Sequence, residues 1–134
     1  MLEEIPASIG NCTALIEVSF AKCFNLKALP VSIQNWSQLE DLNLMKCRAL
    51  TELPEEIGQC KKLCYLNLRS CLKLEKLPES LETLPRLRFL DLAMCDSIKM
   101  VPRWLVGNSW QMEPLDLTQA VKDFMKEEEE EKQE

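Results

Sequence analysis

Apolar residues return along this chain with a fixed period. An apolar residue followed by proline occurs at Ile5-Pro6, Leu29-Pro30, Leu53-Pro54, Leu77-Pro78 and Val101-Pro102, each pair 24 residues after the last. Leu39, Leu42, Leu44, Cys47, Leu50, Leu53 and Pro54 write LxxLxLxxCxxLxxLP, and Leu63, Leu66, Leu68, Cys71, Leu74, Leu77 and Pro78 write it again. The unit from Leu15 substitutes Val18 and Phe20, and the unit from Leu87 substitutes Ile98 and Val101. Alternation in LxL sets two side chains on one side of a short strand and turns the residue between them the other way. The spacing of three after the cysteine suits a turn or 3₁₀-like coil. Proline has no amide proton to lose at the first position of a helical turn, so Pro-x-x-Ile or Pro-x-x-Leu predicts a short helix or 3₁₀ segment on the outer side. No unit can bury its apolar edge alone; stacking buries it, and successive strands then pair in parallel.

This is the pattern of a leucine-rich repeat. The expected fold is α/β: a curved solenoid with short parallel strands on the concave face and helical or 3₁₀ turns on the convex face. Residues 1–120 make up the repeats, the last of them degenerate. Leu115-Asp116-Leu117 follows Leu90-Asp91-Leu92 by 25 residues, with Ala120 where a cysteine is expected. Ala120, Val121, Phe124 and Met125 fit one face of a capping helical turn, so residues 121–134 are expected to be a short capping turn and an acidic disordered tail around Glu127 to Glu131. At the other end, Leu2 falls in the column of Leu26, Leu50, Leu74 and Ile98. That register encodes no cap, leaving the first strand, near Ile16 to Phe20, as an open edge available for self-association. The expectation that follows is the carboxy-terminal piece of a longer repeat protein, or a truncated gene product.

Composition narrows the chemistry. Histidine is absent, which removes Ser-His and Cys-His nucleophile pairs and zinc sites that need imidazole. Gly10, Gly58 and Gly107 cannot assemble a phosphate-cradling loop. A net charge of -6 gives no support to nucleic-acid binding. No apolar run is long enough to span a bilayer and no secretory signal opens the chain. The expectation is a cytoplasmic or nuclear protein, with no enzymatic activity, cofactor or metal. In that reducing setting seven cysteines need not form disulfides. Cys23, Cys47, Cys71 and Cys95 keep the 24-residue period and are expected inside, as small apolar groups donating weakly to carbonyls of the turn. Cys12 and Cys60 share the column of Trp36 and Leu84 on the outer segment, and Cys60 with Cys64 lacks further ligands for zinc.

A partner protein is therefore expected on the concave face. Its outward columns run Glu17, Asp41, Tyr65, Phe89; then Ser19, Asn43, Asn67, Asp91; then Ala21, Met45, Arg69, Ala93; then Lys22, Lys46, Ser70, Met94. Asp41, Asn43, Met45, Tyr65, Asn67, Arg69, Phe89, Asp91 and Met94 are the candidate contacts, because exposed Tyr and Arg are enriched in binding hot spots and apolar clusters mark contact surfaces.

The 24-residue unit, with Cys after LxL and LP closing it, resembles the repeat region of plant intracellular nucleotide-binding leucine-rich-repeat (disease resistance) proteins. The resemblance covers residues 2 to about 118. It implies sensing of effectors or guarded host proteins, or restraint of a nucleotide switch; the switch and the signalling domains are missing here, so only recognition or regulation carries over. Two relatives compete. Ras-group scaffold repeats close in LP but usually run one residue shorter with Asn for Cys, and F-box adaptor repeats share the cysteine but generally lack LP. A degenerate fragment without independent function is the remaining alternative.

Overall fold

The computed structural model describes residues 2–98 and 115–116. Four coils follow one another, each with a short strand on one side and a 3₁₀ turn on the other. The strands are β1 (Glu17–Ser19), β2 (Asp41–Asn43), β3 (Tyr65–Asn67) and β4 (Phe89–Asp91), joined by β5 (Leu115–Asp116). All neighbours pair in parallel in the order β1-β2-β3-β4-β5. Register follows the sequence period: Val18 faces Leu42, Leu42 faces Leu66, and Leu66 faces Leu90. β5 sets Leu115 opposite Leu90 and Asp116 opposite Asp91. The expected capping turn at Ala120 to Met125, the acidic run, and the fifth apolar-proline pair lie outside the described residues.

The opposite side of each coil is a five-residue 3₁₀ turn: η1 (Ala7–Asn11), η2 (Val31–Asn35), η3 (Glu55–Gln59) and η4 (Glu79–Thr83). Of the two forms expected, all four are 3₁₀, and there is no α-helix among the described residues. Proline sits one position earlier than the sequence predicts. Pro6, Pro30, Pro54 and Pro78 precede their turns with ψ of 143, 150, 145 and 141°. The proline contributes its carbonyl to the turn: it accepts the amide of Ile9, Ile33, Ile57 or Leu81 three residues on, at 3.0 to 3.3 Å. Its missing N–H costs nothing there.

Between the strand and turn layers lies one apolar core running the length of the stack. Leu39, Leu42, Leu44, Leu63, Leu66, Leu68, Leu90 and Leu92 are buried from the LxxLxL stretches, and Leu26, Leu50, Leu74 and Ile98 from the coil that follows. The first coil differs. Leu15, Val18, Phe20 and Cys23 are only half-buried, and Ile16 is 51% exposed, because no described coil packs on that flank.

Packing on the turn side is tight at two glycines. A Cβ at Gly10 would stand 2.6 Å from the Ser32 Cβ, and one at Gly58 would stand 2.5 Å from the Ser80 Cβ. Both are shorter than van der Waals contact, so the missing side chain lets the turn of the next coil close in. The pairs η1·η2 and η3·η4 share this device; at the intervening step Gln34 and Glu56 hold the same columns.

The turn leaving each strand requires the left-handed region at a residue other than glycine. Lys22, Lys46, Ser70 and Met94 have φ of 65, 63, 62 and 61°. Each such residue costs of order 1 kcal/mol. The ladder holds three of them: Lys22, Lys46 and Ser70 donate their amides to Met45, Arg69 and Ala93 carbonyls of the next coil at 2.7 to 2.8 Å.

Candidate interaction face of the sheet

Cysteine is placed by the same stacking. Cys47 donates its thiol to the Phe20 carbonyl at 3.2 Å, Cys71 to Leu44 at 3.1 Å, and Cys95 to Leu68 at 2.9 Å. The expected donation to a carbonyl occurs, with the acceptor at the end of the previous coil's strand. A second ladder runs along the turn side. Trp36 Nε1 donates to the Ile9 carbonyl at 3.1 Å and Cys60 Sγ to the Ile33 carbonyl at 3.3 Å. Trp36 and Cys60 are fully buried, whereas Cys12, at the flank, is exposed. The column was visible in the sequence, but its role as a donor ladder was not.

Burial raises these thiols, to about 11 for Cys47 and Cys60 and to about 12 for Cys71 and Cys95. They are protonated and inert at neutral pH. An unfolded thiol ionises near 9, so the stability they contribute is complete below that pH. It is lost as pH rises from there towards the folded values, at up to roughly 1.4 kcal/mol per pH unit for each thiol, and is gone above them. Thermal melts from about pH 8 to about pH 10 should therefore show a falling midpoint, with a shallower fall in the Cys47→Ala/Cys71→Ala variant. A midpoint independent of pH in that window contradicts the assignment.

With Cys47, Cys71, Cys95 and the leucines of β2, β3 and β4 turned inward, the alternate residues form rows on the outward face. The first row crosses four strands in strict register: Glu17 opposite Asp41, Asp41 opposite Tyr65, and Tyr65 opposite Phe89. Tyr65 is 51% exposed; its ring lies 6.1 Å from that of half-buried Phe89, tilted by 46°. That is within the range of favourable aromatic pairs. At the other end, Glu17, Val18, Ser19, Asp41 and Asn43 line an open concavity of about 340 Å³. Desolvation lifts the Asp41 carboxyl above its usual range, and the neighbouring Glu17 charge lifts it further.

The second row faces its own turns. Asn43 Oδ1 accepts the amide of Met45, Asn67 Oδ1 that of Arg69, and Asp91 Oδ1 that of Ala93, each at 3.0 Å. Ser19 Oγ accepts from Ala21 at 3.3 Å. These are Asx- and Ser-type turns that guide the chain out of the strand. Asp91 departs from the expected exposed position: it is only 7% exposed. Its other oxygen lies 3.4 Å from Arg69 Nε, so both oxygens have partners inside the fold. Ser70 and Ala93 are likewise buried, and Met45 is half-buried. Met94 stands out at 56% exposed, with Ser70 Oγ donating to its sulfur at 3.7 Å. Thus Glu17, Tyr65 and Met94 are accessible on this face, while Asn43, Asn67 and Asp91 of the second row serve the backbone.

No protein-family model matches the chain, and no curated protein does. Among solved structures it is similar to the leucine-rich repeat domain of the type III effector XopL. Identity is 26%, the match covers 88% of this chain and 39% of that one, and the TM-score is 0.65. The fold is a leucine-rich repeat solenoid. A leucine-rich repeat protein of Leptospira interrogans also matches, with 24% identity over 87% of this chain and 40% of that one and a TM-score of 0.47. The chain spans about two fifths of the length of each of these structures. Among the described residues no helix is long and apolar enough to cross a membrane.

Proposed function

We propose that this solenoid is a protein-recognition module whose partner docks on the outward face of the sheet. One observation carries the reading. Tyr65 and Phe89 form a ring pair on a face whose neighbouring polar groups are occupied by their own turns. A face made only for solubility has no use for an accessible aromatic pair, and such side chains dominate binding energy where they are found. The repeat unit supports a finer assignment: Cys after LxL and LP closing each unit favour the sensing or regulatory repeats of a disease-resistance-like plant protein of the cytoplasm or nucleus.

Replacing Tyr65, Phe89 and Arg69 together by alanine tests the face. A partner captured by the wild-type chain should be lost, with affinity falling by about 2 kcal/mol or more, while circular dichroism keeps the same spectrum. Arg69 also holds Asp91, so the Tyr65→Ala/Phe89→Ala double variant serves as the control for folding. Unchanged capture by both variants removes the reading.

A further inference from the structure

We infer that the segment received by this face carries a cationic side chain, arginine by preference, a few residues from an apolar or aromatic one, and lies across the strands. The inference rests on the recognition reading above and adds the chemistry of the partner. The row that would receive it is fixed by strand register: two carboxylates, Glu17 and Asp41, followed by two rings, Tyr65 and Phe89. Three strand spacings of about 4.8 Å make the row about 14 Å long, the reach of roughly four or five extended residues.

Each part of the row selects for something. Glu17 and Asp41 are side by side, and neither has an ion pair among the described residues. Their mutual repulsion and the partial desolvation of Asp41 are both relieved by a cation. An acidic partner is repelled there, and a wholly apolar one would bury two unpaired charges. Arg69 engages Asp91, one row away, and Lys22 and Lys46 stand beyond the ends of β1 and β2.

The concavity of about 340 Å³ beside the carboxylates has room for a guanidinium group. Asp41 is followed directly by Tyr65, so a guanidinium hydrogen-bonded to the carboxylate can lay its plane on the exposed ring. Arginine can satisfy both contacts, whereas the compact ammonium of lysine lacks the planar group that does so. Phe89, tilted against Tyr65, then offers an apolar surface for the next side chain.

Random heptapeptides displayed on phage and selected on the full chain give the probe, with selected sequences synthesised and measured by fluorescence anisotropy. Selected peptides should carry arginine within about four residues of an aromatic or leucine. Replacing that arginine by neutral, isosteric citrulline should weaken binding about tenfold, and the Glu17→Gln/Asp41→Asn variant should bind the two forms equally. Peptides that bind this variant as tightly as wild type overturn the inference, as does a selection yielding no sequence sensitive to Glu17 and Asp41. The two readings separate cleanly. Peptides lost on Tyr65→Ala/Phe89→Ala but indifferent to the carboxylates leave the recognition face standing and remove the cationic requirement; peptides indifferent to both changes remove both.

Discussion

Trp36→Ala should lower folding free energy by about 3–5 kcal/mol, the range for truncating a large buried aromatic. Trp36 is the largest fully buried side chain described. Three losses combine. The indole's apolar surface is no longer buried, the surrounding layer relaxes only partly into the space, and the Ile9 carbonyl loses the donor that reaches it at 3.1 Å. Trp36→Phe keeps most of the apolar volume and gives up the hydrogen bond, so it should cost less, about 1–3 kcal/mol. The damage should also be local. In a stack where each coil touches only its neighbours, weakening the η1·η2 step frees the first coil before the others. Amide exchange should therefore rise in β1 while β3 and β4 keep their protection. Urea unfolding that places Trp36→Ala within about 1 kcal/mol of wild type would contradict this account.

Leu66→Ala should cost about 2–5 kcal/mol and change the form of the transition as well as its midpoint. Leu66 is fully buried at the centre of β3, between Leu42 and Leu90, which are buried too. One cavity there weakens two interfaces at once. A solenoid's cooperativity comes from those interfaces, so the coils on either side should begin to unfold separately. In urea the transition should broaden, with a reduced m-value or two steps where wild type shows one. Val18→Ala, in the same column of β1 but only half-buried, should cost much less. Equal losses at the two positions would mean that the stack does not bury its column as described.

Much of this architecture could be read from particular residues. The spacing of Leu42 and Leu44, repeated at Leu66 and Leu68, fixes which side chains face inward, because a strand has a period of two and no other register buries both. The outward row from Glu17 to Phe89 follows from the same argument. The use of the second row was less legible. Asn43 and Asn67 read as outward contacts for a partner, yet their oxygens close turns two residues on, a choice that depends on the chain bending there. Asp91 read as exposed, yet it is buried, with Arg69 and its own turn as partners and β5 paired alongside. Proline was read one place too late because its missing donor is equally tolerable before the turn and at its first residue.

By itself the sequence determined the repeat, its length, the inward columns and the order of the outward rows, since all of these follow from local periodicity and from apolar edges that only stacking can hide. Tertiary structure decided what depends on residues a full coil apart. Thiols and the indole find acceptors 27 residues back in the chain, glycines admit the next coil's serines, and Lys22, Lys46 and Ser70 take left-handed angles that no glycine announces and donate their amides to the coil that follows. The reason is the same in each case: the partner that makes the choice favourable belongs to another coil, so it comes within reach only when the stack has formed.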